Sequence, residues 1–191
     1  MQLIRRITDS DFIGDASEFM ETITRYASRG VLVDDRFYVA MMYMSKINLY
    51  KLPGGGIDEG EEIRDAFLRE IKEETGYEAE IIYELGYVEE HKNKNNFMQH
   101  SYCFVAKAHS RVSNGMLTES EAEIGMIVEW MTFEKALEAM NSSEINCNDY
   151  STKFMIVREK AILEKAVEVL ANLNGRGIFE ECKGADENDK G

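Results

Sequence analysis

Proline is almost missing from this chain: Pro53 is the one example in 191 residues, so no proline-rich linker divides it. Cysteine is scarce too. Cys103, Cys147 and Cys182 are odd in number and far apart, which argues against a disulfide framework and against a C-x-x-C metal or redox motif. His91, His100 and His109 recur at a spacing that fits no metal motif. No apolar run approaches the roughly 20 residues that a membrane-spanning helix needs. The arginines of MQLIRRITDSDF are not followed by the apolar stretch of a secretory leader. Positive charge is in deficit as well, with 22 Lys+Arg against 36 Asp+Glu and a formal net charge of −14. That balance speaks against non-specific binding to nucleic acid or to an anionic membrane. A small phosphorylated ligand stays open if metal cations screen it. The expectation is a cytoplasmic protein without a nucleic-acid or membrane partner.

What the chain does have is 44% apolar residues, enough for a sizeable core, and no internal repeat. One domain over residues 1–183 is expected, with GADENDKG at 184–191 as a frayed tail. Residues 17–28 read as a short helix capped by Ser17, with Phe19, Met20, Ile23, Tyr26 and Ala27 as its stripe. Strand-like segments follow at 30–34, 37–44 and 48–52, then two longer ones at 79–90 and 97–108 around a polar loop from His91 to Asn96. Another strand is expected at 126–132 and a short helix at 133–141. A long helix over about 151–173 turns Met155, Ile162, Ala166, Val169, Leu170 and Leu173 inward and stops at Gly175. Strands interrupted by helices define a mixed α/β or α+β domain.

The segment from Pro53 to Tyr77 stands apart. Gly54, Gly55 and Gly56 are costly inside a strand or helix, which suggests a loop whose backbone approaches something closely. Glu61 and Glu62 then open a helix that Thr75-Gly76 ends. On a wheel of about 100° per residue with Ile63 at zero, Phe67 and Ala66 define the buried face. Glu70 and Glu74 fall inside that face, near −20° and +20°, and Glu73 lies at about −80°. Carboxylates therefore stand where apolar residues belong. Each like-charged pair at i,i+3 or i,i+4 costs roughly 0.2–0.5 kcal/mol even on an open surface. Arg69 pairs with one of them, and a hard divalent cation with several oxygen ligands would settle the rest.

Gly55, Glu61, Arg69, Glu70, Ile71, Glu73, Glu74, Gly76 and Tyr77 stand in the spacing G-x5-E-x7-R-E-U-x-E-E-x-G-U over 23 residues, U being bulky and apolar. This resembles the signature box of the Nudix hydrolases, MutT-like enzymes. Tyr77 is the one departure, an aromatic where an aliphatic is usual. The resemblance implies an αβα sandwich around a mixed sheet, with a long C-terminal helix. It also implies hydrolysis of a nucleoside diphosphate linked to another group, with Mg²⁺ or Mn²⁺ held by Glu70, Glu73 and Glu74, a carboxylate cluster that Arg69 would orient by hydrogen bonding. Gly54, Gly55 and Gly56 would let the diphosphate approach. The family's general base comes from the box or from a later loop; among Glu119, Glu121 and Glu123, Glu121 is favoured here. Gln99 and Ser101, on one face of a strand, and Arg29, at the pocket mouth, are candidate substrate contacts. Family members often dimerise, so the resemblance admits a homodimer, which nothing in the sequence decides. The alternative is a catalytically silent Nudix-fold sensor, although such proteins usually have eroded box acids. A plain acidic interaction protein with an accidental match is the third reading.

Overall fold

The structure, a computed structural model, describes residues 1–14 and 19–174. Its elements run β1 (Leu3–Thr8), α1 (Ser10–Ile13), β2 (Arg25–Val33), β3 (Val39–Met44), β4 (Leu49–Lys51) and β5 (Gly54–Gly56). There follow α2 (Ile63–Thr75), β6 (Tyr77–Lys92), β7 (Phe97–Arg111), α3 (Glu119–Glu123), β8 (Met126–Met131), α4 (Phe133–Asn146) and α5 (Tyr150–Asn174). The strands form one mixed sheet in the order β1-β6-β7-β2-β3-β4, with β5 on β2 and β8 on β3. β1 runs parallel to β6 and β2 parallel to β7, while the remaining pairs are antiparallel.

Period-two alternation divides the core between two faces. Val31, Val33, Val39, Met41, Cys103 and Val105 point to the side covered by Phe133 and Met140 of α4 and Phe154, Ile162 and Leu170 of α5. Leu32, Ala40, Phe104 and Ala106 point to the opposite side, against Phe67 and Ile71 of α2. The result is an αβα sandwich with α5 as its long C-terminal helix. The box helix is clamped by stacking of Phe67 on Phe104, ring centroids 5.6 Å apart. Its C-cap is Gly76 at φ 77°, whose N–H donates to the Lys72 carbonyl. This left-handed position is where a residue without Cβ costs least.

Three sequence expectations need correction. Residues 17–28 do not form the expected helix: 17 and 18 lie outside the described residues, 19–24 are irregular, and Arg25–Val33 is strand. Its supposed stripe is split, with Phe19 60% exposed and Ala27 fully buried. A helix of that length is marginal by itself, whereas residues 25–33 gain continuous pairing with β7 on one side and β5 on the other. The glycine run is also strand, a three-residue edge pairing Gly54, Gly55 and Gly56 with Arg29, Ser28 and Ala27. Finally, α2 begins at Ile63 with Glu62 as an extended N-cap, so Glu61 lies before the helix. The tail at 184–191, Gly175 and Cys182 fall outside the described residues.

Phe67 is fully buried between α2 and the sheet. Phe67→Ala should lower unfolding free energy by about 3–5 kcal/mol, read from the shift of the denaturant midpoint at unchanged slope.

Candidate active site

The wheel order is preserved in the fold. Glu74 is buried, the Glu70 side chain keeps 13% exposure and that of Glu73 keeps 37%. Each acid has a protein partner. Arg69 is the hub: Nε and Nη2 grip both oxygens of Glu61 at 2.8 and 3.0 Å, and Nη2 also donates to the Gly56 carbonyl at 3.0 Å. Its Nη1 donates to Glu70 Oε1 and to Glu73 Oε2, both at 2.9 Å. Glu61 also accepts the Asp58 N–H, which closes the loop ahead of α2. The hydrogen bonds from Arg69 hold the Glu61 carboxyl below the usual carboxylate range, and the same pairing raises the Arg69 guanidinium.

Glu74 has a second set of partners. Oε2 accepts the Gly54 N–H at 2.9 Å, and Oε1 pairs with Nζ of Lys51. Burial nonetheless dominates and pushes the Glu74 carboxyl up to about 7, with Lys51 and the Gly54 amide offsetting part of the rise. Burial also raises Glu70. Gly55 is pressed against Glu70: a Cβ there would stand 2.4 Å from Glu70 Oε1. At Gly55 the helix carboxylate occupies the space a side chain would need, whereas at Gly54 the neighbouring strand does, a Cβ there running into Arg29.

Glu121 joins this group, while Glu119 and Glu123 are exposed. Its placement follows from a capping box at the start of α3, in which Thr118 and Glu121 bond each other's backbone. Glu121 Oε1 lies 4.0 Å from Lys51 Nζ. Burial works to raise its carboxyl, but bonds from Thr118, the Lys51 charge and a hydrogen bond from Glu74 hold it below the ordinary value.

Arg29, Gln99 and Ser101 come together on the α5 side of the sheet, not on an open reading face. All three are buried, at 4%, 3% and 0% exposure. Gln99 Nε2 donates to Glu90 Oε2 at 2.9 Å and to Ser101 Oγ at 3.0 Å. Arg29 Nη1 donates to Glu159 Oε1 at 3.1 Å. Arg158 bridges Glu90 at 2.6 Å and Glu159 at 2.5 Å, and Lys92 stands 3.2 Å from Glu90. A nucleoside could touch Gln99 or Ser101 only by opening this ionic layer. Sequence reading missed Lys51, Arg158 and Glu159. The signal for the last two was a charged pair inside the apolar stripe of α5, the same kind of anomaly that exposed the box acids.

The carboxylates of Glu70, Glu73 and Glu74 are hard oxygen donors of the kind Mg²⁺ and Mn²⁺ take. Among the described residues no three acidic, histidine or cysteine side chains converge as a formed metal cluster. Arg69 bridges Glu70 and Glu73, and Lys51 faces Glu74 and Glu121. The donor chemistry fits a divalent cation.

Glu74 gives a pH test of the chelator-treated protein. Its folded value of about 7 lies above the 4.5 of an unperturbed carboxyl. Ionisation therefore costs the fold nothing below about 4.5 and the full penalty above about 7. Stability should fall across that window in the parent protein. In Glu74→Gln this part of the slope should vanish. Denaturant titrations at a series of pH values read the difference.

The family model described as NUDIX domain matches residues 24–147. Nudix hydrolase 10 of Arabidopsis thaliana is 35% identical over 86 residues, which is 45% of this chain and 29% of that one. The putative 8-oxo-dGTP diphosphatase of Bacillus subtilis is 34% identical over 56 residues, 29% of this chain and 38% of its own. The matched stretches thus span about a third of the length of these relatives, 29% and 38%. Among solved structures, the Escherichia coli ORF135 protein superposes with a TM-score of 0.56 at 14% identity, covering 81% of this chain and 97% of that one. At that identity the likeness is one of fold. Box, sandwich and family model agree, and the chain belongs to the Nudix domain family.

Proposed function

We propose that this chain is a metal-dependent Nudix pyrophosphohydrolase, acting in the cytoplasm on a small molecule that carries a nucleoside diphosphate linked to another group. The observation that carries the reading is the intact set Arg69, Glu70, Glu73 and Glu74 on one helix turned toward the glycine edge Gly54–Gly56. Mg²⁺ or Mn²⁺ held by Glu70, Glu73 and Glu74 would screen the diphosphate and lower the pKa of a bound water.

The chain's own residues then divide the work. Arg69, fixed by Glu61 and the Gly56 carbonyl, keeps Glu70 and Glu73 aligned on one side of the helix. Gly54, Gly55 and Gly56 offer backbone without side chains, so a diphosphate can lie close to the acids. Glu121, ionised at neutral pH, is the proton acceptor for the attacking water. Attack in line at phosphorus then expels the other phosphate. Arg29, Gln99 and Ser101, buried in the ionic layer on the α5 side, brace the strand behind this edge and do not touch substrate. The box and sheet act within one domain over residues 1–183.

The test is product release from a panel of nucleoside-diphosphate derivatives with Mg²⁺. Turnover of at least one compound is expected, with Glu73→Gln and Glu74→Gln each lowering kcat by about 100-fold or more. Tight binding without turnover would favour the sensor reading. Turnover unaffected by both substitutions would overturn the assignment of the box.

A further inference from the structure

Lys51 belongs to no part of the box, yet its ammonium is the charge that the most deeply buried box acid meets. The side chain, on β4, is 14% exposed. Nζ pairs with Glu74 Oε1, lies 3.5 Å from the Gly54 carbonyl oxygen and 4.0 Å from Glu121 Oε1. Two carboxylates and a backbone carbonyl around one cation are also an oxygen set of the kind a hard divalent ion takes.

We propose that Lys51 is an internal counter-ion occupying one cation position of the site, and that a divalent cation reaches Glu74 and Glu121 only by displacing the Lys51 ammonium. This rests on the metal-dependent reading above. The two cations of the site differ in how firmly they are held. Arg69 is fixed by both oxygens of Glu61 and by the Gly56 carbonyl besides its bonds to Glu70 and Glu73. Lys51 has a flexible four-carbon stem and a compact charge, and just one of its contacts is a close ion pair. It is the cation that can leave. Once displaced, the ammonium stays within a stem's reach of any anion the site has drawn in. Without metal, it keeps two neighbouring carboxylates from repelling each other across a partly buried space. Metal affinity is therefore lower than the carboxylates alone would give, because each binding event breaks the Lys51 pairing.

Two measurements on the full chain test this without relying on turnover. The first follows the ¹⁵Nζ signals of the unaltered protein during Mg²⁺ titration. The Lys51 signal, assigned by its loss in Lys51→Met, should move from a paired position to that of a free lysine as Mg²⁺ saturates. The second measures Mn²⁺ binding by calorimetry at mildly alkaline pH. Lys51→Met should bind Mn²⁺ at least about tenfold more tightly than the parent, and Lys51→Arg, which keeps the charge, should stay close to the parent. An unmoved ¹⁵Nζ signal at saturating Mg²⁺ overturns the proposal even if Lys51→Met fails to fold. Equal or weaker Mn²⁺ binding by a folded Lys51→Met also overturns it and leaves the metal-dependent reading standing. No saturable Mn²⁺ binding by parent or variant overturns both.

Discussion

Carboxylates cannot gather on the buried side of a helix unless positive charge is brought to them, and this requirement organises the site. Glu70, Glu73 and Glu74 share α2 with the apolar anchors Ala66, Phe67 and Ile71. Packing those anchors onto the sheet forces the acids toward β5. Arg69 answers from the helix itself and Lys51 answers from β4. The glycines follow from the same geometry. A side chain at Gly55 would collide with Glu70, and one at Gly54 with Arg29, so glycine at these positions lets the helix acid and the neighbouring strand come close. Strand, helix and loop here are consequences of where charge has to sit.

A second ionic layer lies on the opposite face of the sheet. Arg29, Lys92 and Arg158 stand against Glu90 and Glu159, all five buried. Such networks gain little net stability over apolar packing of the same volume, yet removing one partner strands a buried charge. Burial depresses the Arg29 guanidinium most, neighbouring Arg158 adds to the effect, and Glu159 and Glu90 offset part of it. The network ties α5 to β2, β6 and β7 behind the strand that carries Gly54's partner, Arg29. The glycine edge is thus backed by charge on both faces, the box acids in front and the α5 cluster behind.

Much of this was legible in the sequence. The strands of β3, β6, β7 and β8 and the C-terminal helix follow from apolar pattern and turn residues. The box acids were visible because they broke the pattern of their own helix. Glu121 was singled out from Glu119 and Glu123, but the Thr118 capping box that fixes its side chain became visible only in the fold. What was not legible depends on distant pairing. The segment 25–28 has a helical stripe on paper, but its hydrogen bonds go to β7 and β5, remote in sequence. Lys51 reads as one more strand lysine, because its role is set by Glu74, 23 residues away. The ionic layer was half seen: Arg29, Gln99 and Ser101 were singled out, while Arg158 and Glu159 were passed over within a helix judged by its apolar side.

The central claim is that the acidic side of α2, against Gly54–Gly56, is where a divalent cation binds. Anomalous diffraction from crystals of the full chain soaked in Mn²⁺ tests it most directly. The account predicts a manganese peak within coordination distance of carboxylate oxygens from at least two of Glu70, Glu73 and Glu74. A well-ordered peak held elsewhere, with those three acids still paired to Arg69 and Lys51, would contradict it.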